Sequence, residues 1–379
     1  MQLSIRDVFH GDIHISDELI INLIRTLEFK RLRKIKQLGL SYYVFLGAEH
    51  YRFSHSLGVY HLATLFLDDL ESKIGLKYDE LVRRSFLVAC ILHDIGHGPF
   101  SHASEEYFSL NHETYTIQII EDERTQINQL LQEAGLIDQV IAFINKTHSN
   151  KELITLLSSS IDVDRMDYLN RDSYYCGVSY GIFDMSRILK IISKVDGKIV
   201  FEETGIHTVE DFLMSRYHMF VQVYLNDKSL GYETLLGTII KRIHTLLKED
   251  FKFVTDIELL KTMFNKNIDT LDYLLMDDYY IINKLNNLLK EDDQELVQLI
   301  EGLLTFKELE INTDSPSGIK WLTEEYRKKV YNTNEPILIL KEDGTVTSIE
   351  NCSTIIKFFE ANIDITINKY VFSFKDNEN

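Results

Sequence analysis

The chain has 379 residues, 45% of them hydrophobic, with 59 acidic against 40 basic side chains and a formal charge of −19. That length supports a large core, one main domain and an appendage. The acidic field excludes the basic face with which a stable nucleic-acid binder displaces counterions. A small nucleotide is not excluded, but a polyphosphate would need a local basic pocket that overrides the field.

Only 3 prolines and 17 glycines leave little room for long flexible linkers. Cys90, Cys176 and Cys352 are odd in number and far apart. Neither a disulfide framework nor a CxxC metal site is expected from them, as suits a reducing cytoplasm. The first ten residues lack the basic-then-apolar order of a signal peptide. No run reaches about 18 apolar residues, so no membrane span is expected.

Val8 to Ile15 reads as a short extended segment, with His10 and His14 as surface or packing residues. Ser16-Asp17-Glu18 opens a helix, its acids suited to the first turn. Leu19, Ile20, Leu23, Ile24 and Leu27 follow helical spacing. That helix is expected to carry the basic run Lys30 to Lys36 and to close at Gln37-Leu38-Gly39. A charge run is usually a solvated face; in so acidic a chain, an anion site or a subunit contact is the other reading. Tyr42 to Phe45, aromatic and β-branched, fits a short strand or tight loop. Arg52 to Gly58 opens the next helix, which runs to about Ile74 with His55 early in it. Taken alone, such a histidine is more often a satisfied core residue than a ligand.

The stretch that organises the chain follows. A helix beginning at Asp79 ends in seven apolar residues, Phe86 to Leu92, that run straight into His93-Asp94. Gly96, Gly98 and Pro99 break the helix, and His97 and His102 come within eight residues of Asp94. Buried polar groups must find partners, and a packed core has little use for three histidines and an aspartate at one glycine-punctuated corner. A metal supplies such partners, because neutral imidazole and carboxylate are both good ligands. The bland alternative is a His-Asp pair capping a helix end.

Asn111-His112-Glu113 begins another helix on a good cap, and shorter helices fill residues 112–158. Asp164, Tyr168 and Asp172 are spaced i, i+4 and i+8 and share one helical face. Met166 and Leu169 beside them suggest partial burial, hence a functional rather than a solvated face. Lys194 to Glu203, with Asp196-Gly197 at its middle, is a hairpin signature. Val209 to about Leu247 forms one or two long helices with a kink near Asn226-Asp227. Short helical patterns alternate with acidic loops over residues 257–310, and Asn312 to Gly318 is the best linker candidate. Pro336 to Glu350 is a second hairpin about Asp343-Gly344, and Tyr370 to Phe374 a final strand. The fold class is therefore mainly α, with residues 1–250 as the core and 251–379 as a small mixed α/β C-terminal part.

His55, His93, Asp94 and Asp164 reproduce the H…HD…D signature, and with it the chain resembles the HD-domain metal-dependent phosphohydrolases. Longer matches at Phe29 to Gly39, Gly47-Ala48, Arg52 to Val59, His93 to His102 and Asp162 to Tyr168 are similar to one subgroup. It is the deoxynucleoside triphosphate triphosphohydrolase branch, which includes bacterial enzymes and the human SAM- and HD-domain protein. A lone HD dipeptide says little; the run HDIGHGPFSH, with both flanking motifs in order, is specific. The resemblance covers about residues 5–245. A preceding SAM domain does not fit, so the bacterial form is the expectation.

The resemblance implies an all-α HD-domain core and a divalent metal held by His55, His93, Asp94 and Asp164. It implies a homo-oligomer (dimer or tetramer) and hydrolysis of a dNTP to the deoxynucleoside and inorganic triphosphate. The mixed nitrogen and oxygen ligands suit Mn²⁺, Fe²⁺ or Zn²⁺, with Mg²⁺ also open. Matched residue by residue, His102 and His112 are the catalytic histidines, oriented by Glu105 where the family more often has aspartate. Arg52, Arg165 and His97 match phosphate contacts, and Gln37, Tyr168 and Asp172 match deoxyribose contacts. Asp162, the rival fourth ligand, lies on a different helical face from Asp164 and is expected to cap or brace the helix instead.

Two departures stand out. Near Val223 to Asn226 the family often carries a basic residue or histidine, where this chain has Gln222 and Asn226. Some members need a nucleotide activator read by acidic and amide residues in the first helix; here Arg25 and Lys30 stand at those positions, with Arg33 retained. A nucleotide effector is therefore left open and activation by GTP is not assumed. The competing readings are another HD-superfamily phosphohydrolase (a nucleotidase, an alarmone hydrolase or a cyclic-nucleotide phosphodiesterase) and a non-catalytic nucleotide-binding regulator. The protein is expected to be cytoplasmic, to take a nucleotide substrate, and to bind neither nucleic acid stably nor a membrane.

Overall fold

The computed structural model describes residues 2–75, 77–108, 110–264, 268–312, 321–322, 326–329, 331, 334–362, 364–367 and 370–375. Strands β1 (Leu3–Asp7) and β2 (Gly11–Ile15) open the chain as an antiparallel hairpin that pairs Leu3 with Ile15 and Asp7 with Gly11. The extended segment expected over Val8 to Ile15 is thus the turn and second strand of a hairpin. Helix α1 (Glu18–Arg25) starts on Asp17, whose carboxylate accepts from the Leu19 amide at 2.8 Å.

That helix does not continue through the basic run, contrary to expectation. The Thr26 hydroxyl donates to the Leu23 carbonyl at 2.7 Å and accepts from the Phe29 amide at 3.2 Å. One residue therefore ends α1 and caps α2 (Leu27–Arg31), as short hydroxyl side chains do when they compete with helical hydrogen bonds. A 3₁₀ turn, Leu32–Lys34, and an extended Ile35 follow. The run is consequently split: Arg31 is buried, Arg33 lies 3.7 Å from the Phe53 ring centre, Lys34 pairs with Asp277 and Lys36 with Glu49. Ser41–Tyr43 is a second 3₁₀ turn, the tight loop rather than the strand.

Eight helices build the main layer: α3 (Arg52–Ile74), α4 (Glu80–Leu92), α5 (His102–Phe108), α6 (His112–Glu121), α7 (Gln126–Ala134), α8 (Ile137–Ile144), α9 (Lys151–Leu157) and α10 (Val163–Tyr175). Asp79, Asn111 and Asp162 cap α4, α6 and α10 through side-chain acceptors. Helix α3 is central, with Phe53, Leu57, Val59, Leu62, Ala63, Phe66 and Leu70 all buried, and α4 and α10 pack against it. Gly58 is what lets α10 close on α3, since a β-carbon there would collide with the Asp167 carboxylate and the Arg171 guanidinium.

Helix α11 (Met185–Ile191) leads into the expected hairpin, β3 (Ile192–Val195) and β4 (Lys198–Glu202), turned by Asp196 and Gly197 at φ 48° and 72°. Helix α12 (Ile206–Met219) passes through a π-helical turn, Phe220–Tyr224, into α13 (Asp227–Lys248), so the kink falls beside Asn226. Four helices follow: α14 (Glu258–Phe264), α15 (Thr270–Leu274), α16 (Asp278–Leu288) and α17 (Gln294–Leu304). The remainder is β5 (Leu309–Asn312), β6 (Trp321–Leu322), β7 (Tyr326–Lys329), β8 (Leu338–Leu340), β9 (Val346–Ser348), α18 (Thr354–Asn362), β10 (Asp364–Ile367) and β11 (Val371–Phe374). Asn312 belongs to β5, and the rest of the linker candidate lies outside the described residues.

The two predicted hairpins are not independent. Strand β8 pairs parallel to β4, Phe201 with Ile339, and the four strands form one sheet in the order β3-β4-β8-β9. The C-terminal part also feeds both apolar cores. Ile337, Ile339 and Ile349 join the core around α3, while Leu309, Trp321 and Phe372 join a second core built on α13, α16 and α17. Leu40 and Phe100, from the motif-bearing half, reach into that second core. Among the described residues no helix is long and apolar enough to cross a membrane.

Candidate active site

Three helices aim side chains at one point. His55 comes from the first turn of α3, His93 and Asp94 from the end of α4, and Asp164 from the first turn of α10. His55 Nε2 lies 3.1 Å from Asp164 Oδ1 and 3.6 Å from Asp94 Oδ2. His93 Nε2 lies 3.3 Å from Asp94 Oδ1 and 3.6 Å from Asp164 Oδ1. Atoms about 2.1 Å from a tetrahedral ion stand roughly 3.4 Å apart, so the spacing is that of a ligand shell.

The imidazoles are also turned correctly. His93 Nδ1 donates to the Cys90 carbonyl at 2.8 Å, which leaves Nε2 as a buried lone pair without a hydrogen-bond partner among the described residues. His55 Nδ1 donates to Asp167 Oδ2 at 2.8 Å. The His55, His93 and Asp164 atoms lie close enough together to hold a divalent cation, and Asp94 stands beside them with one oxygen toward each imidazole. Burial opposes charge on His55, but hydrogen bonds to Asp164 and Asp167 outweigh it and push the ring up to about 10. His93 is raised as well, its burial outweighed by Asp94 and Asp164. Carboxylates that hold protons here will hold a cation instead, and the two compete. Asp162 stays outside this group: its carboxylate accepts from the Arg165 and Ser159 amides at 2.7 and 2.8 Å and pairs with the Arg165 guanidinium.

Behind the pocket lies a network the sequence did not reveal. Asp167, fully buried, accepts from His55, from His10 Nε2 at 2.6 Å and from two nitrogens of Arg171 at 2.8 and 2.9 Å. Arg171 then reaches Asp7 at 2.8 Å. His10 is therefore neither a surface residue nor simple packing; it ties the N-terminal hairpin to the partner of a pocket histidine. Arg171 and His55 hold the Asp167 carboxyl well below the usual range against its burial.

The front is built by the loop after α4. His97 Nε2 stands 3.3 Å from Asp94 Oδ1, and its Nδ1 is 3.1 Å from Glu105 Oε1. Glu105 also accepts from His112 Nδ1 at 2.6 Å and faces His102 Nδ1 at 3.3 Å. The structure thus brings His97, His102, Glu105 and His112 together beside the ligand group. Burial and the Arg52 cation lower His97 to about 3, so its ring is neutral near pH 7. Burial acts to raise Glu105, but its histidine hydrogen bonds keep the carboxyl well below its usual range.

The remaining sites line the approach. Gln37 is buried, and its Oε1 has no partner among the described residues. Arg52 is committed on two sides, donating to Ser101 Oγ at 2.7 Å and pairing with Asp94. Tyr168 sits 6.5 Å from the His55 ring, and burial raises its hydroxyl to about 12. Asp172 accepts from His50 Nε2 at 2.7 Å and from the Tyr224 hydroxyl at 2.8 Å. Arg216 was missed. Its guanidinium stands 5.8 Å from the Phe220 ring centre, burial lowers its pKa against the field of Tyr168, and among the described residues it forms no salt bridge. The signal was present: Arg216 sits three residues from Leu213 and from Met219 on the buried face of α12.

A model of the HD domain matches residues 52–172, and a model of an HD-associated region matches residues 183–273. The Bacillus subtilis protein YwfO is 42% identical over 93% of this chain and 88% of its own length. The chain belongs to the HD-domain family. A crystal structure of a phosphohydrolase from Bacteroides thetaiotaomicron superposes with a TM-score of 0.87 at 27% identity, over 99% of this chain and 100% of that one. The human deoxynucleoside triphosphate triphosphohydrolase SAMHD1 is 28% identical over 92% of this chain and 62% of its own. The matched HD domain runs from Arg52 to Asp172 and so encloses all four converging residues.

Proposed function

We propose that this HD-domain phosphohydrolase converts deoxynucleoside triphosphates to deoxynucleosides and inorganic triphosphate. The observation that carries the reading is the position of His97, which touches Asp94 of the ligand group and Glu105 of the histidine group at 3.3 and 3.1 Å. An ion site and a proton-handling site therefore share one wall. His55, His93, Asp94 and Asp164 would hold the cation, which when bound supplies Lewis acidity that activates water for attack on phosphorus.

The chain's own residues do the rest. Water attacks the α-phosphorus and the bond to the 5′ oxygen breaks. His102 or His112, oriented by Glu105, gives that oxygen its proton, as a histidine near neutral pH can. Arg165 and Arg216 bring cations to the triphosphate, and Arg52 adds its free edge while holding Asp94. Gln37, Tyr168 and Asp172 form the wall for the deoxyribose. These short-range contacts supply what the net charge of −19 cannot. The relatives named as triphosphohydrolases support the same choice of substrate.

The test is a product assay on the metal-loaded protein with each dNTP in turn. Triphosphate and deoxynucleoside in equal amounts are expected. Phosphate or pyrophosphate would move the protein to another phosphohydrolase reaction, and no turnover would leave a binding protein.

A further inference from the structure

The loop from Gly96 to Ser101, which carries His97 to the site, holds two consecutive non-glycine residues in the left-handed region, Phe100 at φ 56° and Ser101 at φ 55°. L-residues avoid that region, and two in a row persist only where surrounding contacts over-determine them. The contacts come from far away in the chain. Asp278, 4% exposed at the start of α16, accepts from the Phe100 amide with Oδ1 at 2.7 Å and from the Lys36 amide with Oδ2 at 2.9 Å. Its two oxygens bridge the two segments. The Lys36 carbonyl accepts from Ser101 Oγ at 2.6 Å, and that same Oγ accepts from Arg52.

The other end of the loop is tied to the same region. The Tyr273 hydroxyl donates to the Gly96 carbonyl at 2.6 Å. Arg31, 5% exposed, donates to the Met276 and His97 carbonyls at 2.9 and 2.8 Å. Among the described residues Asp278 has no salt-bridge partner, so its stabilising contacts are the two backbone amides. A carboxylate buried without a counter-cation is costly unless it is hydrogen-bonded, which makes its place here a matter of geometry.

We propose that Asp278 is a positioning residue: with Tyr273 it clamps the left-handed turn at Phe100–Ser101, and so sets His97 and Arg52 against Asp94. This rests on the reading of that pocket as the active site. The segment from Tyr273 to Asp278, where the matched HD-associated region ends and α16 begins, then controls the pocket without contributing a side chain to it. A misplacement of about 1 Å in such a site can cost on the order of a hundredfold in rate.

Asp278→Asn tests this, with Asp277→Asn as control; Asp277 caps α16 through the Tyr280 amide and pairs with Lys34 but does not touch the loop. Hydrogen exchange read by mass spectrometry should quicken selectively over residues 94–104 and 34–40 in Asp278→Asn. Its kcat should fall about ten- to a hundredfold, with KM and bound metal per chain unchanged. Tyr273→Phe, which keeps the ring, should loosen residues 94–104 to a smaller degree and serves if Asp278→Asn does not fold. The proposal is overturned if exchange over residues 94–104 stays at the wild-type rate in both Asp278→Asn and Tyr273→Phe, or if Asp277→Asn loosens residues 94–104 equally. A wild-type protein that hydrolyses no dNTP would sink the substrate reading, while the exchange comparison would still decide the clamp.

Discussion

The back and the front of the pocket are built to different standards. Behind His55, Asp167 is closed in by three partners from α3, α10 and the N-terminal hairpin, and α3 and α10 run for 23 and 13 residues. In front, Glu105 on the seven-residue α5 gathers His97 from the loop after α4, His102 from its own first turn and His112 from the start of α6, and the His102 side chain is 71% exposed. The back can hold an ion in fixed geometry but has no group open to exchange a proton. The front can trade protons with water or a leaving group through the exposed His102, although its own His97, His102, Glu105 and His112 atoms lie within 4.8 Å of one another. A hydrolase that keeps its cation through many turnovers requires both, side by side.

The largest effect should come from breaking the back. Asp167→Ala leaves Arg171 buried with only Asp7, and frees the His55 ring to turn. Removing one partner of a buried ion pair costs about 3–5 kcal/mol, which a urea unfolding curve reads directly. Bound metal per chain should fall with it. If Asp167→Ala keeps both its unfolding midpoint and its metal, the back is not what holds the site.

Breaking the front should look different. Glu105→Gln keeps the shape and removes the charge that orients the histidines. The unfolding midpoint and the metal content should match wild type, while kcat falls by about 10²–10⁴, the size of a general acid–base contribution. Loss of metal in this variant would show that the two sides are one unit and that the contrast drawn above is false.

The contrast also explains what could be read in advance. Helices α4, α6 and α10 announce themselves through Asp79, Asn111 and Asp162, and both hairpins through their Asp-Gly turns, because these signals are local. The four converging residues were legible for a second reason, since a motif fixes their order and type. The helix break at Thr26 escaped because a threonine inside an apolar periodicity looks like one more helical residue until its hydroxyl is seen bonding both ways. His10 and Asp278 were not legible at all as site residues. Each meets its partner across a large separation in sequence: His10 and Asp167 are 157 residues apart, Phe100 and Asp278 178. The parallel pairing of β4 with β8 escaped for the same reason.

The smallest effect should come from His10, and it measures how far the back extends. His10 Nε2 donates to Asp167 Oδ1 at 2.6 Å while His55 and Arg171 occupy the other positions on that carboxylate. Taking His10 away leaves Asp167 with most of its partners, so the fold should hold. What changes is how firmly Asp167 grips Nδ1 of His55, and with it the aim of Nε2 at the ion. Outer partners of this kind are typically worth 10–100-fold in metal affinity. With Arg171 still in place, His10→Ala should sit near the low end, about a tenfold rise in the Kd for Mn²⁺ by competition with a chelating dye. His10→Gln, whose amide nitrogen reaches about where Nε2 stood, should recover most of that loss. Equal affinity in wild type and His10→Ala would confine the back to α3 and α10, and reduce the N-terminal hairpin to a cover.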